Sequence, residues 1–139
     1  MTTQTTSLFV YGTLKRGHRL NSILGGGSTL IYPAVTVLND FDLFNYQDAF
    51  PIMTMTQDTE GYKILGELYS VTTSVMERVN AVESGSGYIP YIIDVKPYDS
   101  SDNDPSQAIA FLYPAVSIGV SNIKPTEIVG INGKVKVWT

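Results

Sequence analysis

The stretch Leu8-Phe9-Val10-Tyr11-Gly12-Thr13-Leu14 decides how this chain is read. An apolar run of strand-forming residues ends abruptly in Tyr-Gly-Thr and then meets Lys15-Arg16-Gly17. A buried strand that stops at a glycine leaves several backbone N–H groups without ladder partners. Glycine lets successive amides point into one hollow, and such a hollow binds anions. The stretch therefore predicts a place to hold a carboxylate or phosphate without a charged side chain.

Outward from this point, Val, Ile, Thr, Tyr and Phe dominate, with Gly, Pro, Asn and Asp between them. That pattern predicts mostly strands. A first strand is expected at about Ser7–Tyr11. Leu20–Leu24 reads as a short helix stopped by Gly25-Gly26-Gly27. Strand character runs across Ser28–Leu38, interrupted by Pro33, and continues in Phe41–Tyr46. The next strand is Tyr62–Val71, where Gly66 signals a bulge or a close backbone approach. The best helix runs from Val75 to about Ser84. Ser74 fits its N-cap and Glu77 completes a capping box. Val75, Val79 and Val82, with Met76 beside them, recur at helical spacing, and Gly85 and Gly87 end the helix. Strands follow at Tyr88–Val95 and Ser106–Tyr113, separated by a solvated loop at Asp99–Pro105. Pro114–Pro125 carries no clear signal, and Ile128–Trp138 contains a hairpin around Asn132-Gly133. No repeat or long linker divides residues 1–139, so one domain is expected. Many strands with one good helix predict an α+β fold built on a closed or nearly closed barrel.

Composition narrows the function. The 139 residues suffice for one core, and 43% are hydrophobic. A net charge of −4 and a pI near 4.7 speak against binding the phosphate backbone of DNA or RNA. No apolar window approaches the ~18 residues of a membrane span. Met1–Ser7 is polar and uncharged, unlike a signal peptide, so a cytoplasmic location is expected. There are no cysteines, which removes thiolate metal sites and cysteine nucleophiles. The single histidine, His18, disfavours a serine–histidine triad or a two-histidine metal site.

Several chemical constellations compete. Glu83 falls in the last turn of the expected helix, where the dipole is negative and a carboxylate is disfavoured by up to about 1 kcal/mol. One reading is a solvated glutamate beside a glycine-rich turn. The other is a carboxylate held where its charge is disfavoured, its pKa raised toward the range of a general acid or base. Gly12–Arg19 has the glycine spacing of a phosphate loop but lacks the lysine and hydroxyl that loop requires, so nucleotide hydrolysis is set aside. His18 with Lys15, Arg16 and Arg19 forms a small basic cluster, read as a solvated turn or as a gate for an acidic ligand. Asp40, Asp42, Asp48, Asp58 and Glu60 are too scattered for a calcium loop. The nine tyrosines read mainly as packing, and Trp138 as an anchor for the last strand.

Taken in order, these pieces form a recognisable set. Phe9–Gly17 resembles the opening signature of the γ-glutamylcyclotransferase-like (AIG2-like) family. Ala49-Phe50-Pro51-Ile52-Met53, Leu65-Gly66-Glu67-Leu68-Tyr69 and Val79-Asn80-Ala81-Val82-Glu83-Ser84 resemble its next three segments. Tyr88 and Ala110-Phe111-Leu112-Tyr113 then match a following tyrosine and a later strand. The resemblance implies a small mixed β-barrel with flanking short helices. It implies that Glu83 is the catalytic acid/base. Tyr11, Gly12, Thr13 and Leu14 would bind the substrate, the backbone amides of this stretch taking an anionic group, with Tyr88 and Tyr113 lining the same site. The implied reaction is a lyase or acyl-transfer step on a γ-glutamyl amine or peptide, releasing 5-oxoproline and an amine. It needs no cofactor and no metal. The implied partner is a small-molecule substrate with a carboxylate, with no role for nucleic acid or membrane. Asn80, Ser84 and Pro90 depart from the family pattern, which also expects a glycine after the glutamate and an arginine after the tyrosine. They motivate an alternative: a catalytically inactive binder of a small anionic metabolite in the same cavity.

Overall fold

The computed structural model describes residues 4–12, 21–38, 41–46, 50–55, 61–85, 87–98, 105–113, 123–125, 127–129 and 135–137. The strands are β1 (Thr5–Val10), β2 (Ser28–Thr36), β3 (Phe41–Tyr46), β4 (Phe50–Met55) and β5 (Lys63–Thr72), followed by helix α1 (Thr73–Gly85). After it come β6 (Ile89–Pro97), β7 (Ser106–Leu112), β8 (Ile123–Pro125), β9 (Glu127–Val129) and β10 (Val135–Val137). Two 3-10 turns, Asn21–Ile23 and Gly25–Gly27, precede β2.

Five strands close into a mixed barrel in the order β1-β7-β6-β2-β5 and back to β1. β1 and β7 are parallel, and the other four pairings are antiparallel. Side-chain alternation sorts residues to the two sides of the wall. Phe9 joins an interior cluster with Ala34, Leu68, Ile93, Val95, Ala108, Ala110 and Leu112. Its neighbours Leu8 and Val10 join Val71, Phe111 and the α1 residues Val75 and Val79 in an outer cluster. Fully burying side chains such as Leu8 and Phe9 contributes on the order of 2 kcal/mol each. The α+β barrel read from the sequence is therefore the observed architecture, with one α-helix among the described residues, packed against its outer wall.

A second sheet, β4-β3-β8, sends Phe41, Leu43 and Met53 into the interior cluster. Tyr113 N–H donates to the Met53 carbonyl at 2.8 Å, and Phe41 and Tyr62 bond each other through both backbone groups. The C-terminal hairpin forms as expected, with β9 antiparallel to β10, although its turn at Asn132-Gly133 lies outside the described residues. β10 continues the β5 edge beyond β1, pairing at Lys63 and Ile64. Its Lys136 is buried, which is tolerable because the ammonium lies 2.7 Å from the Asp42 carboxylate and over the Tyr62 ring.

Local readings from sequence need four corrections. Pro33 does not interrupt its strand. Its carbonyl accepts from Tyr98 N–H, so the position of its missing N–H also faces the β6 edge, and the β5 ladder loses nothing. Gly25-Gly26-Gly27 forms a 3-10 turn of its own instead of merely stopping the preceding one. The helix starts earlier than expected. Thr72 Oγ1, not Ser74, accepts the capping bond from Val75 N–H at 3.3 Å, so Glu77 is not placed for a capping box. Val82 was expected in the apolar stripe but is exposed. The loop at Asp99–Pro105 lies outside the described residues except Pro105, and Trp138 lies outside them altogether.

Gly66 marks a close approach, as its sequence suggested, while the irregularity in register lies opposite, between Leu30 and Tyr32 of β2. A Cβ at Gly66 would collide with the Val10 carbonyl oxygen and lie 2.8 Å from Phe9 Cζ. This is where β1 crosses β5 just before Tyr11. Gly66→Ala should cost about 3 kcal/mol, because the obstacle is partly backbone and cannot rotate away. The urea midpoint checks this; a loss below about 0.5 kcal/mol would show that β1 and β5 do not approach so closely.

Candidate active site

The helix explains how a carboxylate reaches the barrel. Residues four apart share a helix face. Val75 and Val79 are the buried residues of α1, with Met76 packed beside them. Continuing by four reaches Glu83, not Val82. Glu83 thus occupies the core-facing stripe at a position where an apolar residue is the ordinary choice. It is half-buried.

The end of α1 fixes Glu83 further. Tyr88 N–H donates to the Glu83 carbonyl at 3.0 Å, and Gly87 N–H donates to the Ser84 carbonyl at 3.2 Å. Gly87 has φ +93°. These two bonds, spanning five and three residues and closed by a glycine at positive φ, form a Schellman motif. That motif commonly brings an apolar pair together at the positions held here by Glu83 and Tyr88. In this chain the pair is an acid and a phenol.

Three tyrosines converge with the acid. Tyr88 and Tyr113 meet edge to face, with ring centroids 5.5 Å apart. Tyr11 donates its hydroxyl hydrogen to the Phe111 carbonyl, tying the end of β1 to β7. Burial pushes the Tyr11 phenol well above its ordinary value, with further upward contributions from Tyr88 and the Glu83 charge, partly offset by a hydrogen bond from the Met53 backbone. Burial likewise raises Tyr88, again with help from Glu83 and then Tyr113. Both phenols stay neutral at ordinary pH. Burial also raises the Glu83 carboxyl from 4.5 to about 7. The sequence had pointed to the helix dipole for such a rise; withdrawal from water is its cause here.

Tyr11, Glu83, Tyr88 and Tyr113 are thus brought together across more than seventy positions of chain. Gly12 is buried next to Tyr11, beyond the last rung of the β1–β5 ladder at Val10 and Glu67. Thr13, Leu14 and the basic cluster Lys15–Arg19 lie outside the described residues. Two contributors, Met53 and Phe111, act through backbone groups and were not read from sequence as part of the site, whereas Gly87, read there as ending the helix, closes the turn that holds Glu83 and Tyr88. The departures Asn80 and Ser84 bond each other, Ser84 Oγ to Asn80 Oδ1 at 3.3 Å, on the exposed face of α1. Pro90 is also exposed. Among the described residues, no three histidine, cysteine or acidic side chains gather where they could hold a metal ion, and no helix is long and apolar enough to cross a membrane.

Two outcomes follow from this geometry. A carboxyl whose folded pKa is raised stabilises the fold below its unfolded value, and that contribution is lost as pH rises through the folded value. Between pH 4.5 and just above 7, wild type should therefore lose about 3 kcal/mol relative to Glu83→Gln. Urea unfolding of both proteins at pH 5 and pH 8 reads this directly, and parallel pH dependences would refute it. At Gly87, an added Cβ would meet Tyr113 Cε2 at 3.2 Å on a backbone that disfavours side chains. Gly87→Ala should cost about 2 kcal/mol and change the near-ultraviolet circular dichroism of the tyrosine pair. An unchanged spectrum would mean that the turn does not hold these rings.

Comparison with known proteins follows the same lines. Similar folds occur in a mouse AIG2-like protein (TM-score 0.70, 17% identity, covering 98% of this chain and 97% of that one). They also occur in an uncharacterised protein of Pyrococcus horikoshii (TM-score 0.60, 23% identity, 78% and 77% covered). Kluyveromyces lactis allophanate hydrolase contains a similar unit (TM-score 0.73, 15% identity), covering 94% of this chain but 21% of that one. At these identities the likeness establishes the fold. No curated protein sequence matches the chain. The family model for γ-glutamyl cyclotransferase, AIG2-like, matches residues 8–127. The match includes β1 from Leu8, the other four barrel strands and the helix carrying Glu83, and the chain belongs to the AIG2-like γ-glutamyl cyclotransferase family.

Proposed function

We propose that this protein is a γ-glutamyl cyclotransferase acting on a small γ-glutamyl amine or peptide, with Glu83 as general acid and base. One observation carries the reading: a half-buried carboxyl raised to about 7 on the core-facing stripe of a helix, beside Tyr11 and Tyr88. A group with that pKa is divided between acid and base near neutrality, as a residue that both accepts and returns a proton requires.

The chemistry balances with this one group. Ionised Glu83 takes a proton from the substrate's α-ammonium. The freed amine nitrogen attacks the γ-carbonyl carbon of the same molecule, forming a five-membered ring and a tetrahedral centre. As the carbonyl re-forms, the bond to the leaving nitrogen breaks, neutral Glu83 returns the proton to that nitrogen, and the ring nitrogen gives up the surplus proton it carries after the attack to solvent. The products are 5-oxoproline and a free amine. Ring closure is intramolecular, so the protein contributes most by holding the substrate bent. The α-carboxylate would sit against the backbone beyond Val10, at Tyr11 and Gly12. Tyr88, kept neutral by burial, and Tyr113 beside it would wall the site.

The alternative of a non-catalytic anion binder drew on Asn80, Ser84 and Pro90. All three are exposed, and two of them bond each other. They give that alternative no support.

Incubation with γ-glutamyl amides should release 5-oxoproline, with kcat/KM falling below pH 7 as Glu83 is protonated. Glu83→Gln should lower kcat by about 10²–10⁴-fold. Turnover by the glutamine variant at the wild-type rate would overturn the assignment.

A further inference from the structure

One face of the barrel wall beside the site is left open. β6 places its odd-numbered residues toward the interior. Ile89 pairs with Leu112, Tyr91 with Ala110 and Ile93 with Ala108, and these three partners all belong to the buried interior cluster. Exposure along that face is graded: Val95 is 0% exposed and Ile93 6%, but Tyr91 is 40% and Ile89 42%. The pairing of β2 explains the gradient. It meets β6 only at Val95–Pro97, and a last bond runs from Val37 N–H to the Asp94 carbonyl. Among the described residues, no strand takes up that edge beside Ile89–Ile93. Leu38, just past the last bond, adds a further exposed apolar side chain.

This opening begins one residue past the turn that holds the acid. Ile89 follows Tyr88, whose N–H is bonded to the Glu83 carbonyl. Leu112, opposite Ile89, lies between Phe111, whose carbonyl takes the Tyr11 hydroxyl, and Tyr113, which meets Tyr88 edge to face. If Glu83 protonates the leaving nitrogen, the group attached to that nitrogen must extend over a surface neighbouring Glu83. The inner face of β6 is such a surface, and its four side chains, Ile89, Tyr91, Ile93 and Val95, carry no charge. An ammonium laid there would lose water without gaining a counter-charge from that face. An aliphatic chain would cover two apolar side chains that are otherwise wet.

We propose that Ile89 and Tyr91 receive the tail of the leaving amine, so that the preferred substrate is a γ-glutamyl amide of an apolar amine. The inference rests on the cyclotransferase reading and adds a leaving-group class to it. Two substrates of nearly equal shape test it: γ-L-glutamyl-n-pentylamide, and γ-L-glutamyl-4-aminobutylamide, which replaces the terminal methyl with an ammonium. With 5-oxoproline release as the readout, kcat/KM should favour the pentylamide by about tenfold or more. Ile89→Thr and Tyr91→Thr, which keep strand propensity, should each narrow that ratio toward one. Turnover of both substrates within twofold of each other, or a preference for the cation, overturns the leaving-group assignment and leaves the cyclotransferase reading standing. Failure of wild type to release 5-oxoproline from either substrate overturns both.

Discussion

The site depends on one unfavourable placement: a carboxylate on the inward stripe of α1. Burying an acid without a neutralising partner costs free energy unless the acid keeps its proton. The fold holds Glu83 in that position with apolar contacts one and two turns earlier. Val75 and Val79 dock the helix on the barrel, and their burial fixes its rotation about its own axis. Once that rotation is set, the Cα–Cβ bond of Glu83 leaves the helix on the docked face. The raised pKa therefore follows from helix packing upstream of the acid.

The helix end supplies the second constraint. A Schellman closure satisfies carbonyls that the last turn would otherwise leave unpaired, and it reverses the chain sharply enough to enter β6 at once. The acid and Tyr88 are thereby held together by backbone bonds, independently of any bond between their side chains. Tyr113 is anchored through its own N–H to Met53, and Tyr11 through its hydroxyl to Phe111. Each ring of the site is thus tied to a different element, Tyr88 to α1, Tyr113 to β4 and Tyr11 to β7, so moving one means breaking a bond to a backbone carbonyl.

Much of the fold was legible because strands announce themselves by period and composition. Phe41–Tyr46 and Ser106–Leu112 fall within a residue of their sequence limits. Gly66 was legible for a physical reason: a glycine inside an apolar strand leaves room for something, and here it is the Val10 carbonyl. The helix was legible in existence but not in phase. Val75, Val79 and Val82 fit a helical period, yet so do Val75, Val79 and Glu83, and hydrophobicity alone favours the wrong third member. Reading the stripe as apolar by rule hides a buried acid. The Thr72 cap was missed for a similar reason, since Ser74 with Glu77 satisfies the same pattern two residues later. Contacts made through backbone groups, such as those of Phe111 and Met53, leave no trace in side-chain identity.

The misread helix phase carries a more general consequence for the site. Where a stripe of small apolar residues runs into a glutamate at the correct four-residue step, just before a glycine-closed turn, two rules are broken together. The acid is at the negative end of the dipole and on the buried face. Either violation alone is tolerable in a solvated side chain. Both at one residue require compensating structure, and among the described residues it includes the neutral phenols of Tyr11 and Tyr88. A nearby described lysine or arginine would have lowered the carboxyl again and removed its use near neutrality. The tyrosines at the end of β1, before β6 and after β7 are thus coupled to the glutamate on α1: Tyr11 and Tyr88 carry no charge at ordinary pH and leave the Glu83 carboxyl raised.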